Sequence, residues 1–206
     1  CWEYYPDQEL ANIIKKHKPN GILIEPLPDI FEKLVANYAD CPNLQFANVA
    51  ITSKDGNLPI YRINPNQDKE YRKLYKENAN ASGITSLSKE HIENFLRKNL
   101  RGNFNEKGIN DFIKQENVQS LSFETLKEKY RIYKIDLLQI DTEGFDFEII
   151  KMLFESTNIV PNVINYEHKN LSQKDNEECK ELLIKNNYSL LTHKGDTCAF
   201  QRIIIE

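Results

Sequence analysis

The chain has 206 residues, of which 40% are hydrophobic, and this is enough to bury one sizeable core. Its formal net charge of −4 and its pI of about 5.7 give no electrostatic reason to expect nucleic acid or an anionic membrane as a partner. No apolar stretch approaches the roughly 20 residues that a membrane-spanning helix needs. We therefore expect one domain over residues 1–206 that binds neither nucleic acid nor membrane.

The cysteines indicate the cellular compartment of the chain, and its first residue indicates whether it is a complete translation product. Cys1, Cys41, Cys179 and Cys198 lack the paired spacing of a zinc site or of a disulfide framework, so a reducing cytoplasm is the expected location. The only methionine is Met152. The chain as written does not begin at a translation start, and we expect it to be processed, trimmed or a fragment.

Helical spacing and short apolar runs alternate along the chain. Strands are predicted over residues 21–26, 44–51, 58–63, 137–140, 163–168, 189–192 and 198–205. Helices are predicted over residues 7–18, 28–38, 88–100, 109–115, 122–130, 145–154 and 175–186. A turn at residues 54–57 separates two of the strands, and a turn at 194–196 makes the last two an antiparallel hairpin. This alternation predicts an α/β fold with a mostly parallel sheet flanked by helices.

Residues 64–117 differ from the rest of the chain. They are polar, rich in Asn and Lys, and poor in apolar residues, with one clear helix near their middle. Such a segment does not predict a core of its own. We interpret it as an insertion or lid within the single domain.

Acidic residues follow three of the predicted strands, at Glu25, at Asp141 and Glu143, and at Glu167 with the neighbouring His168. Because parallel strands share one carboxyl end, we expect these groups to converge on one edge of the sheet. Glu25 has the position of an acid that binds the ribose hydroxyls of a nucleotide, although a solvent-facing acid in a loop is the alternative.

Two kinds of chemistry suit the other acids and the histidine. Asp141, Glu143, Glu167 and His168 could act as a general base with an orienting partner, or as ligands of a divalent metal, and their spacing does not choose between these. A structural alternative also stands, in which Asp141 or Thr142 is the N-cap of the next helix, with Gly144 allowing a sharp turn.

Two further loops have both functional and structural interpretations. Residues 81–87 form a small-residue loop that could close over a substrate, but Ser86 or Ser88 as a helix cap is the favoured interpretation. Asp196 lies in the turn at residues 194–197, and turn formation explains it best.

Six ordered segments resemble the FkbM family of S-adenosylmethionine-dependent methyltransferases. They are residues 21–26, 48–51, 81–83, 137–148, 165–168 and 195–199. The most specific are the ILIEP strand and the IDTEGFDFEII block, and the resemblance extends over about residues 7–200. It implies a Rossmann-like class I methyltransferase fold and methyl transfer to a hydroxyl of a sugar, polysaccharide or secondary metabolite.

The resemblance also implies where the cofactor, S-adenosylmethionine, binds. Glu25 would hold its ribose, Asn48 and Val49 would lie by the adenine, and Asp141 would lie under the methionine moiety and the methyl centre. Such methyltransferases begin with a strand and a glycine-rich loop, whereas the seven glycines of this chain are all isolated. We therefore expect that strand and loop to belong upstream, so that the N-terminal strand of the fold is missing here.

Glu143, Glu167 and His168 would face the acceptor, and the insertion would contribute acceptor specificity. Our hypothesis is that His168 or Asp141 is the base, while Glu143 and Glu167 orient the acceptor hydroxyl or a divalent metal bound to it. Two alternatives stand beside it: a degenerate methyltransferase-like binding module, and a metal-dependent nucleotide-sugar transferase. The pattern sets neither the acceptor nor the oligomeric state.

Overall fold

The computed structural model describes residues 8–75, 84–102 and 105–202. Cys1, the segment 81–83 and the end of the predicted strand 198–205 lie outside the described residues. The helices are α1 (Gln8–His17), α2 (Pro28–Asn37), α3 (Asp68–Leu74), α4 (Lys89–Asn99), α5 (Glu106–Asp111), α6 (Phe123–Tyr130), α7 (Asp146–Ser156) and α8 (Gln173–Lys185), with a 3₁₀ turn at Pro65–Gln67. None of these described helices is both long and apolar enough to cross a membrane.

Ten strands lie in the described residues. They are β1 (Gly21–Ile24), β2 (Leu44–Ala47), β3 (Ala50–Ile51), β4 (Gly56–Ile63), β5 (Thr85–Ser86), β6 (Ile113–Leu121), β7 (Leu137–Ile140), β8 (Val163–Glu167), β9 (Tyr188–His193) and β10 (Asp196–Gln201). They form three sheets, in the orders β1-β2, β3-β6-β4-β5 and β7-β8-β10-β9. The chain divides into two compact units, one of residues 1–50 and 56–120 and the other of residues 51–55 and 121–206.

The sheets are mixed. β1 pairs with β2 and β7 with β8 in parallel, whereas β4 is antiparallel to β5 and β6, and β10 is antiparallel to β8 and β9. The prediction of an α/β fold is therefore confirmed, and so is the C-terminal hairpin, but a mostly parallel sheet is not confirmed. Paired parallel strands are connected by a helix in two places, where α2 connects β1 to β2 and α7 connects β7 to β8.

In the first unit, β1, α2 and β2 position the acid that follows β1. Pro28 begins α2, a position where its missing N–H is no loss, and Ile30 and Leu34 are the buried face of that helix. The predicted strand over residues 44–51 is broken into β2 and β3, with Asn48 and Val49 between them. This break brings Asn48 next to the loop that follows β1.

The segment 64–117 contains buried structure that its composition did not predict. One apolar cluster combines seven buried residues from it and its boundary, Ile63, Tyr71, Ile92, Leu96, Leu100, Ile109 and Phe112. The interpretation of the segment as an insertion or lid within a single domain stays a prediction. The capping interpretation of Ser88 is confirmed, because its Oγ accepts the N–H of His91 at the start of α4.

The helix predicted over residues 109–115 is wrong in its second half. α5 ends at Asp111, and Ile113–Leu121 is the long strand β6, which pairs with all of β4 from Gly56↔Ser120 to Ile63↔Ile113. Because β6 lies between β3 and β4, the two strands on either side of the turn at residues 54–57 are not neighbours in the sheet.

The second unit has its own core beneath β7, β8 and β10. α6, α7 and α8 contribute Phe123, Ile150, Leu153, Cys179 and Leu183, and the strands contribute Ile140, Ile164, Tyr166 and Ala199. Burial alternates along β8 and β10, where Ile164 and Tyr166 face the same core as Ala199. This packing fixes β7 and β8 in register, with Ile140 opposite Tyr166, so the residues after both strands lie side by side.

Candidate functional site

Three carboxylates meet at the carboxyl ends of β7 and β8. One oxygen each of Asp141, Glu143 and Glu167 lies within 4.8 Å of the others. Asp141 is exposed, Glu143 is half-buried and Glu167 is 8% exposed. The predicted convergence is therefore confirmed for the acids that follow β7 and β8, and we call these three residues the acid cluster.

A tight turn after β7 carries two of the three acids. Glu143 and Gly144 both have positive φ angles, 53° and 106°. The prediction that Gly144 permits a sharp turn agrees with this, since glycine adopts such angles without steric cost. Glu143 pays about 1 kcal/mol for the left-handed conformation. The turn is thus held in shape by its surroundings rather than by the backbone preference of Glu143.

Asp146 is what holds the turn. Its Oδ2 accepts hydrogen bonds from the Thr142 N–H at 3.2 Å and the Thr142 Oγ1 at 2.6 Å, and its Oδ1 accepts the N–H of Glu167 at 3.1 Å. Asp146 is fully buried. The interpretation of Asp141 or Thr142 as the N-cap of α7 is wrong, because Phe145 occupies that position and no side chain caps the helix.

Lys169 and Asn170 complete the cluster, and the sequence reasoning missed both. The Asn170 Nδ2 donates to Glu143 Oε2 at 2.7 Å and to Glu167 Oε2 at 2.5 Å, and the Lys169 ammonium pairs with Glu167 Oε1. The two residues lie two and three positions after Glu167, the acid that ends β8, and this closeness in sequence was the available signal. They supply the donors that let two carboxylates lie close together.

Burial and the charges of neighbouring carboxylates raise the pKa values of Glu143 and Glu167. Burial, followed by the charges of Glu167 and Asp141, raises the pKa of Glu143 to about 7. Burial also raises the pKa of Glu167, against the opposing effect of Lys169. Although burial would lower it, the pKa of Lys169 is raised by its bond to Glu167. Glu143 can therefore gain or lose a proton near neutral pH.

His168 lies beside the acid cluster in sequence but has different partners. Its N–H donates to the Gly195 carbonyl at 2.8 Å, and its Nδ1 lies 3.0 Å from the Oγ1 of the buried Thr197. The same Gly195 carbonyl accepts the N–H of Lys169 at 3.1 Å. The predicted hairpin turn is confirmed at Lys194 and Gly195, but Asp196 itself is the first residue of β10 and pairs with His193.

The acid cluster has oxygen donors of the kind that hard divalent cations take. In the structure, however, Lys169 and Asn170 already engage Glu167 and Glu143. A cation would have to replace the ammonium of Lys169 as the partner of Glu167.

In the first unit, Glu25 has the setting of a fixed acceptor. It is 9% exposed, and its Oε1 accepts the N–H of Leu27 at 2.9 Å. The Asn48 Nδ2 donates to the carbonyls of Glu25 at 2.8 Å and Pro26 at 3.0 Å, and the neighbouring Val49 is buried. Asn48 therefore fixes the loop after β1. The alternative of a solvent-facing Glu25 is wrong.

A buried arginine lies near Glu25. Arg62 is 1% exposed, and its Nη1 lies 2.6 Å from Asp29 Oδ1 and 3.3 Å from Glu116 Oε1. Burial raises the pKa of Glu25, while the Leu27 N–H and the charge of Arg62 act in the opposite direction. Convergence of Glu25 with the other acids on one sheet edge is not confirmed, because β1 pairs only with β2 in the described sheets.

Comparison with known proteins gives one match. The family model of the methyltransferase FkbM domain matches residues 4–190. A search of curated proteins and a search of solved structures found no match to the chain. The matched range contains both acidic regions described above and most of each unit, so the resemblance noted from the sequence is confirmed: the chain belongs to the family of FkbM methyltransferase domains.

Proposed function

We propose that this chain is an S-adenosylmethionine-dependent methyltransferase that methylates a hydroxyl of a sugar, polysaccharide or secondary metabolite. The observation that carries the proposal is the acid cluster with Lys169 and Asn170, placed after adjacent parallel strands of an FkbM domain. Ligands of α/β proteins bind at such strand ends. S-adenosylmethionine supplies an electrophilic methyl group, and the protein has to position the acceptor oxygen and remove its proton.

Glu25 fits the ribose of this cofactor. One hydrogen bond to Leu27 uses only part of what a carboxylate can accept, so capacity for a ribose hydroxyl remains. Asn48 and Val49 belong to the same site in this proposal. Both amide hydrogens of Asn48 can be used by the backbone bonds described above, so its contribution is to fix the loop that carries Glu25. Asp141 is proposed to approach the methionine moiety.

Glu143 is the proposed base, in preference to His168 or Asp141. It is half-buried, its Oε2 is oriented by Asn170, and its pKa of about 7 suits proton transfer at neutral pH. Glu167 and Lys169 would orient the acceptor hydroxyl, with Asp141 at the exposed side. His168 would have a positioning role, because its backbone N–H binds the Gly195 carbonyl in the turn between β9 and β10.

The charge of the cluster favours an uncharged acceptor. Three carboxylates face one ammonium group, so a phosphate or carboxylate on the acceptor would meet net repulsion at short range. Hydroxyl groups, by contrast, can donate to carboxylates and accept from Asn170 or Lys169. Neutral sugars and polyols are therefore the preferred class.

The test separates cofactor binding from chemistry. Wild type, Glu25→Gln and Glu143→Gln are titrated with S-adenosylhomocysteine by calorimetry, and methyl transfer is measured on neutral sugars, uronic acids and sugar phosphates. We expect Glu25→Gln to raise Kd by about 10-fold through loss of a charge-assisted bond. Glu143→Gln should lower kcat by about 100-fold with Kd changed by less than about 2-fold.

The control is Glu155→Gln, which removes an exposed acid of α7 and should change neither value. Near-normal kcat in Glu143→Gln would remove this residue as the base. If the wild type binds S-adenosylhomocysteine but transfers no methyl group, the degenerate binding module is favoured. Turnover of a nucleotide sugar, abolished by a chelator, would favour the metal-dependent transferase instead.

The cytoplasm is the proposed location. Cys41, Cys179 and Cys198 are all free thiols in the structure, which agrees with a reducing compartment. A test is the localisation of a tagged full-length protein by fractionation, and recovery outside the cytoplasmic fraction would contradict the proposal.

A further inference from the structure

We propose that Asp146 is a positioning residue that clamps the two acidic strand ends together, an inference that rests on the proposed function. It is fully buried, so it does not reach an acceptor or cofactor from where it lies. It acts through Thr142, which lies between Asp141 and Glu143, and through the backbone of Glu167. Every carboxylate of the acid cluster is thus within one residue of an atom that Asp146 binds.

The bonds of Asp146 come from both strand ends. Two donors belong to Thr142 in the turn after β7, and the third is the N–H of Glu167 at the end of β8. Since the two oxygens of the carboxylate each serve one strand end, the side chain spans the gap between them. A change in its length or hydrogen-bonding pattern would alter the separation of Glu143 and Glu167.

Stabilising the N-terminus of α7 would not require Asp146 to be buried or to accept hydrogen bonds from two strand ends. An acid in the first turn favours a helix by its interaction with the dipole, and Glu148, in the same turn of α7, provides that while half-exposed and paired with Lys151. A buried charge is costly unless several donors satisfy it. Asp146 has three donors, all outside its own helix, so its burial is explained by the clamp rather than by the helix.

The substitution Asp146→Asn distinguishes a hydrogen-bonding role of this residue from a role in packing alone. In Asp146→Asn the shape is kept, but one of the two oxygens becomes an NH₂ group. That group meets an N–H or O–H donor at one of the two strand ends, so one side of the clamp is lost. Thr142→Val removes only the Oγ1 donor, and Thr142→Ser restores it.

The functional test is a double-mutant cycle on kcat with Asp146→Asn and Thr142→Val. We expect Asp146→Asn to lower kcat by about 10- to 100-fold, since small misplacements of reacting groups have effects of this size. Thr142→Val should lower it by about 5-fold, with recovery in Thr142→Ser, and should add little in the Asp146→Asn background. Additive effects, or kcat within about 2-fold of wild type in Asp146→Asn, would overturn the proposal.

A pH profile adds a readout that a merely structural role would leave unchanged. Glu143 is faced by Glu167, Asp141 and Lys169; burial is the largest cause of its raised pKa, the two carboxylates raise the pKa further, and Lys169 opposes them. A looser clamp would both expose Glu143 and separate it from the carboxylates. When the clamp loosens, the inflection of kcat/KM near pH 7 should move to lower pH by about one unit. An unmoved inflection in both variants would count against the clamp. Glu148→Gln is the matched control, with an unchanged profile expected.

Hydrogen exchange tests the clamp without any activity. The amide protons of Thr142 and Glu167 should exchange at least about 10-fold faster in Asp146→Asn, while that of Ile164 in β8 stays protected. If Asp146→Asn fails to fold, the wild type is measured alone: the Thr142 and Glu167 amides, which donate to the buried Asp146 carboxylate, should be protected, and exchange at the rate of an unstructured peptide would overturn the clamp. Unchanged exchange at Thr142 and Glu167 overturns the clamp. Lack of methyl transfer by the wild type, with the exchange result as expected, overturns only the proposed function.

Discussion

Glu25 in one unit and the acid cluster in the other both lie at strand ends, but they are held in different ways. Glu25 is held by the backbone N–H of Leu27, in a loop fixed by Asn48, with the buried Arg62 nearby. The cluster is held by side chains: Asn170 bridges Glu143 and Glu167, Lys169 pairs with Glu167, and Asp146 fixes the backbone.

In the proposed function, this difference distinguishes a ligand-binding acid, Glu25, from a proton-transferring one, Glu143. A single carboxylate with a backbone donor and a nearby cation is suited to accepting hydrogen bonds from a ligand. In the acid cluster, burial, followed by the charges of Glu167 and Asp141, raises the pKa of Glu143 to about 7. The charge of the acid cluster therefore changes with pH near neutrality, as Glu143 gains or loses its proton. The following three predictions test the difference between the site of Glu25 and the acid cluster.

The largest effect is expected from Arg62→Leu in the first unit. The change removes the charge-assisted bonds of the buried guanidinium to Asp29 and Glu116, although Lys114 still pairs with Glu116, and we expect the free energy of unfolding to fall by about 3 kcal/mol. Urea denaturation would measure this. Arg72→Leu is the control, since its exposed pair with Asp68 should contribute only about 0.5 kcal/mol. A loss from Arg62→Leu no larger than in the control would contradict the buried role.

A smaller effect, with a defined pH dependence, is expected from Glu143→Gln. The pKa of Glu143 rises from 4.5 to about 7 on folding, so the folded state binds more protons between these values. Its stabilising contribution is complete below about pH 4.5 and is lost as the pH rises through about 7. Glu143→Gln should therefore be more stable than wild type at pH 8, by about 1–2 kcal/mol after allowance for partial exposure.

Denaturation curves at pH 5 and pH 8 measure this difference. The gain should shrink at pH 5, where wild-type Glu143 is protonated. The exposed Glu155→Gln variant controls for the loss of one negative charge. An equal stability difference at both pH values would show that Glu143 is not the group that titrates.

The smallest effect is expected from Gly195→Ala. A Cβ at residue 195 would lie 3.0 Å from the Lys169 Cδ and 3.2 Å from its Cβ, so Lys169 must shift by a few tenths of an ångström. We expect a loss of about 1 kcal/mol or less in stability. Because Lys169 lowers the pKa of Glu143, the inflection of the pH profile should also move slightly upward.

The control for Gly195→Ala is Gly21→Ala in the first unit. Its Cβ would meet only the tip of Leu44 at 3.3 Å, a residue that belongs to the same unit as Gly21. It should leave the pH profile unchanged. A shift in Gly21→Ala equal to that in Gly195→Ala would show that the effect does not pass through Lys169.

The sequence alone predicted features that depend on local pattern. Acids directly after apolar strands, a serine at the start of α4 and a glycine in the turn after β7 are all readable over a few residues. The strand β6 was not, because the run IKQENVQSL is mostly polar and only Val118, Ser120 and Leu121 are buried in it. Its place in the sheet comes from pairing with β4.

The roles of three residues could be recognised only from the tertiary structure, because their partners are distant in sequence. These residues are Asp146, Lys169 and Asn170. The partners of Asp146 lie four residues before it and 21 residues after it, and Asn170 reaches Glu143 across 27 positions. No periodicity joins such residues. Only the parallel register of β7 and β8 brings them together.

The carbonyl of Gly195 links the acid cluster to the C-terminal hairpin, since it receives the N–H groups of both His168 and Lys169. These two bonds join the segment after β8 to the turn between β9 and β10. A ligand that restricts the motion of Lys169 should therefore also hold that turn in place. We therefore expect occupancy of the proposed site to increase the protease resistance of the last two strands. Limited proteolysis at that hairpin can accordingly rank candidate acceptors before any product is known.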